Sequence, residues 1–125
     1  MRIAVPIWND KISPVFDTAS RLLIINTKNL SEIERFETSL YEQDISRRFL
    51  RIQDLKVNIL ICGAISRPFS MLLMSAEIKI ISGIAGPAED VLNAYLHGSL
   101  SNSKYLMPGC KNIKVSSERG AEFKI

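Results

Sequence analysis

The sequence has few of the residues that hold small disulfide-rich domains together or build metal centres. Its 125 residues include two cysteines and one histidine. These exclude a disulfide scaffold and a structural zinc site. The longest apolar stretches, such as residues 57–65, are far shorter than the roughly 20 residues of a membrane-spanning helix. The first residues lack the basic and apolar regions of a secretory signal, so we expect a cytoplasmic protein without a membrane span.

Catalytic motifs are also missing. The chain contains no Gly-x-x-x-x-Gly-Lys, no Gly-x-Gly-x-x-Gly and no Gly-x-Ser-x-Gly sequence. The first predicted strand, residues 3–7, carries no carboxylate for a two-metal nuclease site. A Ser–His–acid triad would have to use His97, the single histidine. We therefore expect that the protein is not an enzyme.

The positive charge is confined to one end of the sequence. The net charge is +3, but residues 1–103 contain 11 basic and 11 acidic side chains. The surplus lies in residues 104–125, which contain Lys104, Lys111, Lys114, Arg119 and Lys124. Because no clustered basic face with adjacent aromatic side chains is visible, we expect no nucleic-acid partner. We predict a single domain over residues 1–103 and a basic, flexible tail over residues 104–125.

Hydrophobic periodicity predicts the fold class. Residues 3–7, 22–26 and 33–36 have the pattern of strands, and residues 45–55 have a helical period with Asp44 as N-cap and Arg48 facing away from the core. Buried strands at 57–62 and 78–81 then alternate with helices that begin near Ser66 and Pro87. This order, β-β-β-α-β-α-β-α, predicts an α/β fold in which helices flank a mixed five-stranded sheet.

Two loops at the carboxyl ends of the parallel strands are candidate binding sites. Residues 62–66 and 82–86 both lead directly into helices, where free N–H groups and close backbone approach favour anions. The candidate binding residues there are Gly63, Ala64, Ser66, Arg67, Gly83 and Gly86. The alternative is that the glycines only serve tight strand-to-helix turns.

The two thiols have different surroundings in the sequence. Cys62 ends a predicted buried strand, so it is either a metal ligand or a small core residue. Cys110 lies in a polar segment, where an exposed thiol is free to bind a metal or to oxidise. His97 is predicted at the last turn of a helix, where it either interacts with the helix end or binds a metal. The 48 residues between the cysteines provide no Cys-x-x-Cys redox motif.

Several segments, in order over about residues 1–110, resemble the dinitrogenase iron–molybdenum cofactor biosynthesis family, which includes NifX-like proteins and the C-terminal domain of NifB. The matching segments are Ile3-Ala4-Val5-Pro6 with Asn9, Ser13-Pro14-Val15-Phe16-Asp17, Ile61-Cys62-Gly63-Ala64-Ile65-Ser66-Arg67-Pro68, Ala94-Tyr95 with Gly98, and Met107-Pro108-Gly109-Cys110.

This resemblance implies a ribonuclease-H-like three-layer fold without nuclease activity. It also implies a carrier or scaffold for an iron–sulfur-type metallocluster, such as the iron–molybdenum cofactor or a precursor. Cys62 and Cys110 are then the candidate metal ligands, Arg67 and helix N–H groups offset the cluster charge, and cofactor-assembly proteins are the implied partners. The basic tail either closes over the cluster or is simply a solvated terminus.

One departure from the family pattern supports a second interpretation. Where nitrogenase-branch members have His-Phe-Gly, this sequence has Val15, Phe16 and Asp17, so it resembles the stand-alone branch and lacks the favoured histidine contact. The alternative function is a protein-interaction or regulatory module that has lost cofactor binding, with Trp8, Ile12, Val15 and Phe16 as contact residues. The sequence carries no signal for the oligomeric state.

Overall fold

The computed structural model describes residues 1–42, 44–100, 103–110 and 114–116. The elements in this part of the chain are β1 (Arg2–Trp8), β2 (Lys11–Ile12), β3 (Arg21–Lys28), β4 (Ser31–Ser39), α1 (Ile45–Asp54), β5 (Ile59–Ile61), α2 (Arg67–Ser75), β6 (Lys79–Ser82), α3 (Ala88–Leu96) and β7 (Lys114–Ser116). Single 3-10 turns lie at Phe16–Thr18 and Ser103–Tyr105. No helix within these ranges is long and apolar enough to cross a membrane.

One mixed sheet forms the middle layer. Its strand order is β4-β3-β1-β5-β6-β7, and β2 pairs with the end of β1. The central strands β1, β5 and β6 are parallel, whereas β2, β3, β4 and β7 pair antiparallel with their neighbours. The predicted α/β fold with a mixed sheet flanked by helices is confirmed.

Alternation along the strands separates the core into two clusters. On one face, Ile3 and Val5 of β1 pack in a cluster with Val91 of α3. On the other face, Ala4 belongs to a cluster that includes Ile52 of α1 and Phe69 of α2. Full burial of each large apolar side chain contributes about 1.5–3 kcal/mol, so helices on both faces stabilise the sheet.

The helix starts follow the sequence signals. The Asp44 carboxylate accepts a hydrogen bond from the backbone N–H of Arg47 at 2.8 Å, as an N-cap does. The Ser66 hydroxyl oxygen accepts from the N–H of Phe69 at 3.4 Å, and α3 begins directly after Pro87. These predictions from local sequence are confirmed.

Within the part of the chain that the structure describes, the sheet has seven strands rather than the predicted five. The additional strands are β2, which has two residues, and β7, which has three. Segments this short carry no readable alternation. β2 forms because Asn9 and Asp10 adopt positive φ angles of 50° and 62°, which turn the chain back onto β1.

The segment after residue 103 contacts the core more than its composition predicts. Tyr105 is buried in the α3-side cluster, Val115 packs against the same cluster, and β7 extends the sheet beside β6. The tail's composition does not indicate these contacts, because the open edge of β6 becomes available only once the sheet has folded. Residues 111–113 and 117–125 of the predicted tail lie outside the described residues.

Arg48 was predicted to face away from the core and is instead buried. Its guanidinium donates to the carbonyl oxygen of Ala19 at 2.7 Å and to that of Phe16 at 3.4 Å. These bonds close the 3-10 turn at Phe16–Thr18. Helical periodicity missed this role because the acceptors come from a loop far away in sequence.

Candidate functional site

The loop that precedes β3 lies directly against the loop that follows β5. The N–H of Ala64 donates to the carbonyl oxygen of Pro14, and the N–H of Phe16 donates to that of Ala64, both at 2.8 Å. A Cβ atom on Gly63 would lie 2.6 Å from the carbonyl oxygen of Pro14 and 2.8 Å from that of Ser13. Gly63 is therefore required by close backbone approach, whatever the site binds.

A third segment joins these loops through Gly83. The N–H of Gly83 donates to the carbonyl oxygen of Gly63 at 3.0 Å, and the carbonyl oxygen of Gly83 accepts from the N–H of Met107 at 2.9 Å. The N–H of Cys110 then donates to the carbonyl oxygen of Met107 at 3.0 Å. Cys110 thus lies near two strand-end loops that precede it by more than twenty residues.

These segments enclose a solvent-open cavity of about 380 Å³. Five predicted site residues line it: Gly63, Ala64, Arg67, Gly83 and Cys110. Its other lining residues are Ile65, Ser70, Ile80, Ser82, Met107 and Ser116. None of the three serine hydroxyls, Ser70, Ser82 and Ser116, is among the site residues predicted from the sequence. Ser82 has a sequence signal, because it stands at the carboxyl end of a parallel strand. Ser116 had no signal, because its position depends on β7 pairing with β6.

The N-terminus of α2 beside the cavity is largely occupied by groups from this chain. The Asp17 carboxylate accepts from the N–H of Ser66 at 2.8 Å, and the Ser66 hydroxyl caps Phe69. Pro68 has no N–H to offer. The predicted helix-end anion site is therefore reduced, and Ser66 acts as a cap that is not among the residues lining the cavity.

Arg67 is the charged side chain among the cavity-lining residues. It is exposed, and within the described ranges no carboxylate forms an ion pair with its guanidinium. An anion in the cavity would meet this cation without displacing a carboxylate of the described residues.

The two cysteines are not brought together. Cys62 is fully buried in the cluster that contains Phe16 and Phe69, and it is not among the residues lining the cavity. Burial raises the pKa of its thiol to about 12, and the Asp17 carboxylate adds to the shift. The thiol of Cys62 therefore stays protonated at neutral pH, whereas Cys110 is partly exposed at the cavity.

Gly86 and His97 also lie away from this cavity. A Cβ atom on Gly86 would contact the Tyr105 ring at 3.7 Å, and the carbonyl oxygen of Gly86 accepts from the N–H of Ile12 at 2.9 Å. His97 Nδ1 lies 2.7 Å from the carbonyl oxygen of Asn93 at the end of α3. These contacts agree with a turn role for Gly86 and with an interaction of His97 with the end of its helix.

Among the residues that the structure describes, no group of three or more His, Cys, Asp and Glu side chains could hold a metal ion. The cavity instead offers one thiol, one thioether and one guanidinium, from Cys110, Met107 and Arg67. The guanidinium can attract an anionic group, and the thiol, as thiolate, can bind one metal atom of that group. The set has too few ligands to enclose a bare metal ion.

A sequence model of the family described as "Dinitrogenase iron-molybdenum cofactor" matches residues 1–98. The chain belongs to this family. The family connects the protein with the biosynthesis or binding of the iron–molybdenum cofactor. A comparison with curated proteins gives no match.

Solved structures agree with the family's fold. The crystal structure of PH0822 has 20% sequence identity and a TM-score of 0.76, and the match covers 82% of this chain and 95% of that chain. The crystal structure of MJ0327, a candidate dinitrogenase of Methanocaldococcus jannaschii, has 22% identity and a TM-score of 0.64, with 84% and 96% covered. The NMR structure of MJ0327 has 19% identity and a TM-score of 0.62, with 88% and 94% covered.

Of the four residues predicted as a protein-contact surface, two are buried and two are exposed. Phe16 is fully buried and stacks on Phe69 with ring centroids 4.9 Å apart, and Ile12 is also buried. Trp8 and Val15 are 60% and 39% exposed. Val15 forms a β-bridge with Ala64, which is one of the residues lining the cavity.

Proposed function

We propose that this family member binds an anionic iron–sulfur-type cluster, either the iron–molybdenum cofactor or a precursor, in the cavity and carries it without chemical change. The observation that carries this proposal is the convergence of Arg67 and Cys110 on one open cavity, although 43 positions separate them in the sequence. Family membership supports this class of cargo.

Each lining group has a chemical role in this proposal. The Cys110 thiolate binds one iron atom of the cluster, as thiolates do in iron–sulfur proteins. The guanidinium of Arg67 offsets negative charge on the cluster. The backbone at Gly63 and Gly83 lets the cluster approach closely, and the hydroxyls of Ser82 and Ser116 can donate to cluster sulfides, whereas the Ser70 hydroxyl already donates to the carbonyl oxygen of Arg67 at 2.9 Å. Cys62 has no ligand role here because its thiol is buried and protonated.

A single thiolate suits a carrier better than a permanent holder. Iron–sulfur clusters that remain in one protein generally have four cysteine ligands, whereas this cavity has one. The cavity is open to solvent, so a cofactor-assembly protein can reach the cluster while it is bound. We infer that the partners of this chain are proteins that donate and accept the cluster.

The test is anaerobic titration of the full chain with isolated iron–molybdenum cofactor, and separately reconstitution with iron and sulfide. Bound iron, sulfide and visible absorbance are measured for the natural sequence, Cys110→Ser, Arg67→Gln and the matched control Cys62→Ala. We expect about tenfold or greater loss of affinity in Cys110→Ser, a smaller loss in Arg67→Gln and none in Cys62→Ala. Equal binding by the natural chain and Cys110→Ser would reject the role of the thiolate.

The interaction-module function has one observation in its favour, which is the exposure of Trp8 at the end of β1 and of Val15 in the loop before β3. An exposed tryptophan is a common anchor in protein interfaces. Colour separates the two functions: brown protein after anaerobic purification supports the carrier, and protein that stays colourless after both titrations supports the module.

A further inference from the structure

Strand β4 forms one edge of the sheet, and most of its side chains are exposed to solvent. Residues 31–37 are all exposed, although the Arg2 guanidinium lies 5.7 Å from the centroid of the Phe36 ring and Arg35 pairs with Glu89 of α3. The exposed side chains include Ile33 and Phe36, which are 64% and 36% exposed. Within the described residues, no strand pairs with the outer edge of β4. Such an edge is a template for another strand.

The register with β3 shows which backbone groups are free on that edge. The N–H of Leu40 donates to the carbonyl oxygen of Ser20 at 2.8 Å, and the pairing continues from Arg21 opposite Ser39. Backbone groups alternate sides along a strand, so residues 34, 36 and 38 bond toward β3. Residues 35, 37 and 39 therefore direct their N–H and C=O groups outward.

We propose that β4 pairs antiparallel with β4 of a second copy of this chain, and that the two-fold axis passes beside Phe36. In this register Arg35 lies opposite Glu37 of the partner subunit, and the symmetric pair forms as well. The outward backbone groups of residues 35 and 37 then form the ladder. Phe36 meets Phe36 of the partner subunit in a closely spaced, non-hydrogen-bonded position.

Charge selects this register over its neighbours. Antiparallel pairing of the outward groups permits shifts of two residues in the alignment. A shift in one direction places Arg35 opposite Arg35 of the partner subunit, and a shift in the other places Glu37 opposite Glu37 of the partner subunit. Like charges directly opposite each other destabilise a ladder. In the proposed register Glu34 faces Thr38 of the partner subunit, so no like charges are directly opposed.

The charged side chains are already held in place in the single chain. The guanidinium of Arg35 bonds the carboxylates of Glu32 and Glu89, and Glu37 pairs with Arg21 at 2.8 Å. Holding side chains before association lowers the entropy lost on binding. A strand whose charges complement themselves under two-fold symmetry favours a second copy over an unrelated partner.

This dimer does not involve the cavity. β4 is at one end of the strand order, and the cavity is lined from the loops and strand ends around β5, β6 and β7 at the other. The proposal is therefore independent of cluster binding, and failure of one leaves the other standing.

The test is sedimentation velocity of the full chain over a range of concentrations, with Glu37→Lys and Arg35→Glu as variants. We expect the natural chain to dimerise, and each variant alone to dimerise about tenfold or more weakly because both symmetric pairs become like-charged. A mixture of the two variants restores opposite charges at both pairs, so we expect a heterodimer with recovered affinity. Recovery also shows that both variants fold.

A disulfide tests the register. In a Cys110→Ser background, Phe36→Cys places two thiols across the two-fold axis and should form an intermolecular disulfide under mild oxidation. Glu34→Cys is the matched control, because its counterpart in the partner subunit is Thr38. A natural chain that stays monomeric at every concentration would overturn the proposal. A dimer that neither charge change weakens, or equal crosslinking of both cysteine variants, would also overturn it.

Discussion

Replacing Gly63 by alanine tests the structure where the loops before β3 and after β5 meet. The added Cβ would be 2.6 Å from the carbonyl oxygen of Pro14 and 2.8 Å from that of Ser13, and both are backbone atoms that cannot rotate away. Overpacking costs about 1–3 kcal/mol. Separating the two loops also weakens the bond from the Ala64 N–H to Pro14, which contributes about 1 kcal/mol. We expect Gly63→Ala to lower the free energy of unfolding by about 2–4 kcal/mol.

The assay is denaturant unfolding with the slope m compared between variants, because only a shift of midpoint at constant m reports native-state stability directly. The matched control is Gly98→Ala. A Cβ there has nothing within 4 Å, but the φ of 74° strains an alanine by about 1 kcal/mol. Faster hydrogen exchange at the amides of Ala64 and Phe16 should accompany the loss in Gly63→Ala. If Gly63→Ala is no less stable than Gly98→Ala, the close approach of the loops is wrong.

Two further predictions concern groups beside the cavity. Asp17→Ala removes the acceptor of the Ser66 N–H and should lower the free energy of unfolding by about 1–2 kcal/mol. The measurement is urea unfolding, and the control is Asp17→Asn, which retains an acceptor. Equal losses in the two variants would contradict the capping role of Asp17. The folded-state pKa of Cys62 is raised from 9.0 to about 12, so its contribution to stability is complete below pH 9 and is lost as pH rises toward 12. Alkylation at pH 9 should therefore modify Cys110 and leave Cys62 protected. The Cys62→Ala variant should lose less stability than the natural chain as the pH rises above 9. Rapid labelling of Cys62 in the folded protein would contradict its burial.

Local sequence determined the three helices, the longer strands and the helix starts. The alternation of apolar residues in β1 and β3 and the helical period of α1 depend on neighbours within a few positions, as do the N-cap at Asp44 and the start of α3 after Pro87. The order of these elements predicted the mixed sheet and the two strand-end loops. Motifs along residues 1–110 indicated the family, which the match over residues 1–98 confirms.

Tertiary structure decided which site candidates share a cavity. Arg67, Gly83 and Cys110 come together because Gly83 bonds both Gly63 and Met107, which the sequence could not show. Cys62 packs in the core cluster on the α1–α2 face of the sheet, whereas Ile61 packs in the cluster on the α3 face, because adjacent strand residues point to opposite faces. Burial of Arg48 and the pairing of β7 likewise depend on acceptors and edges supplied by distant residues. The sequence pattern specifies local backbone preference, whereas the position of each functional group depends on contacts that exist only after the sheet has formed.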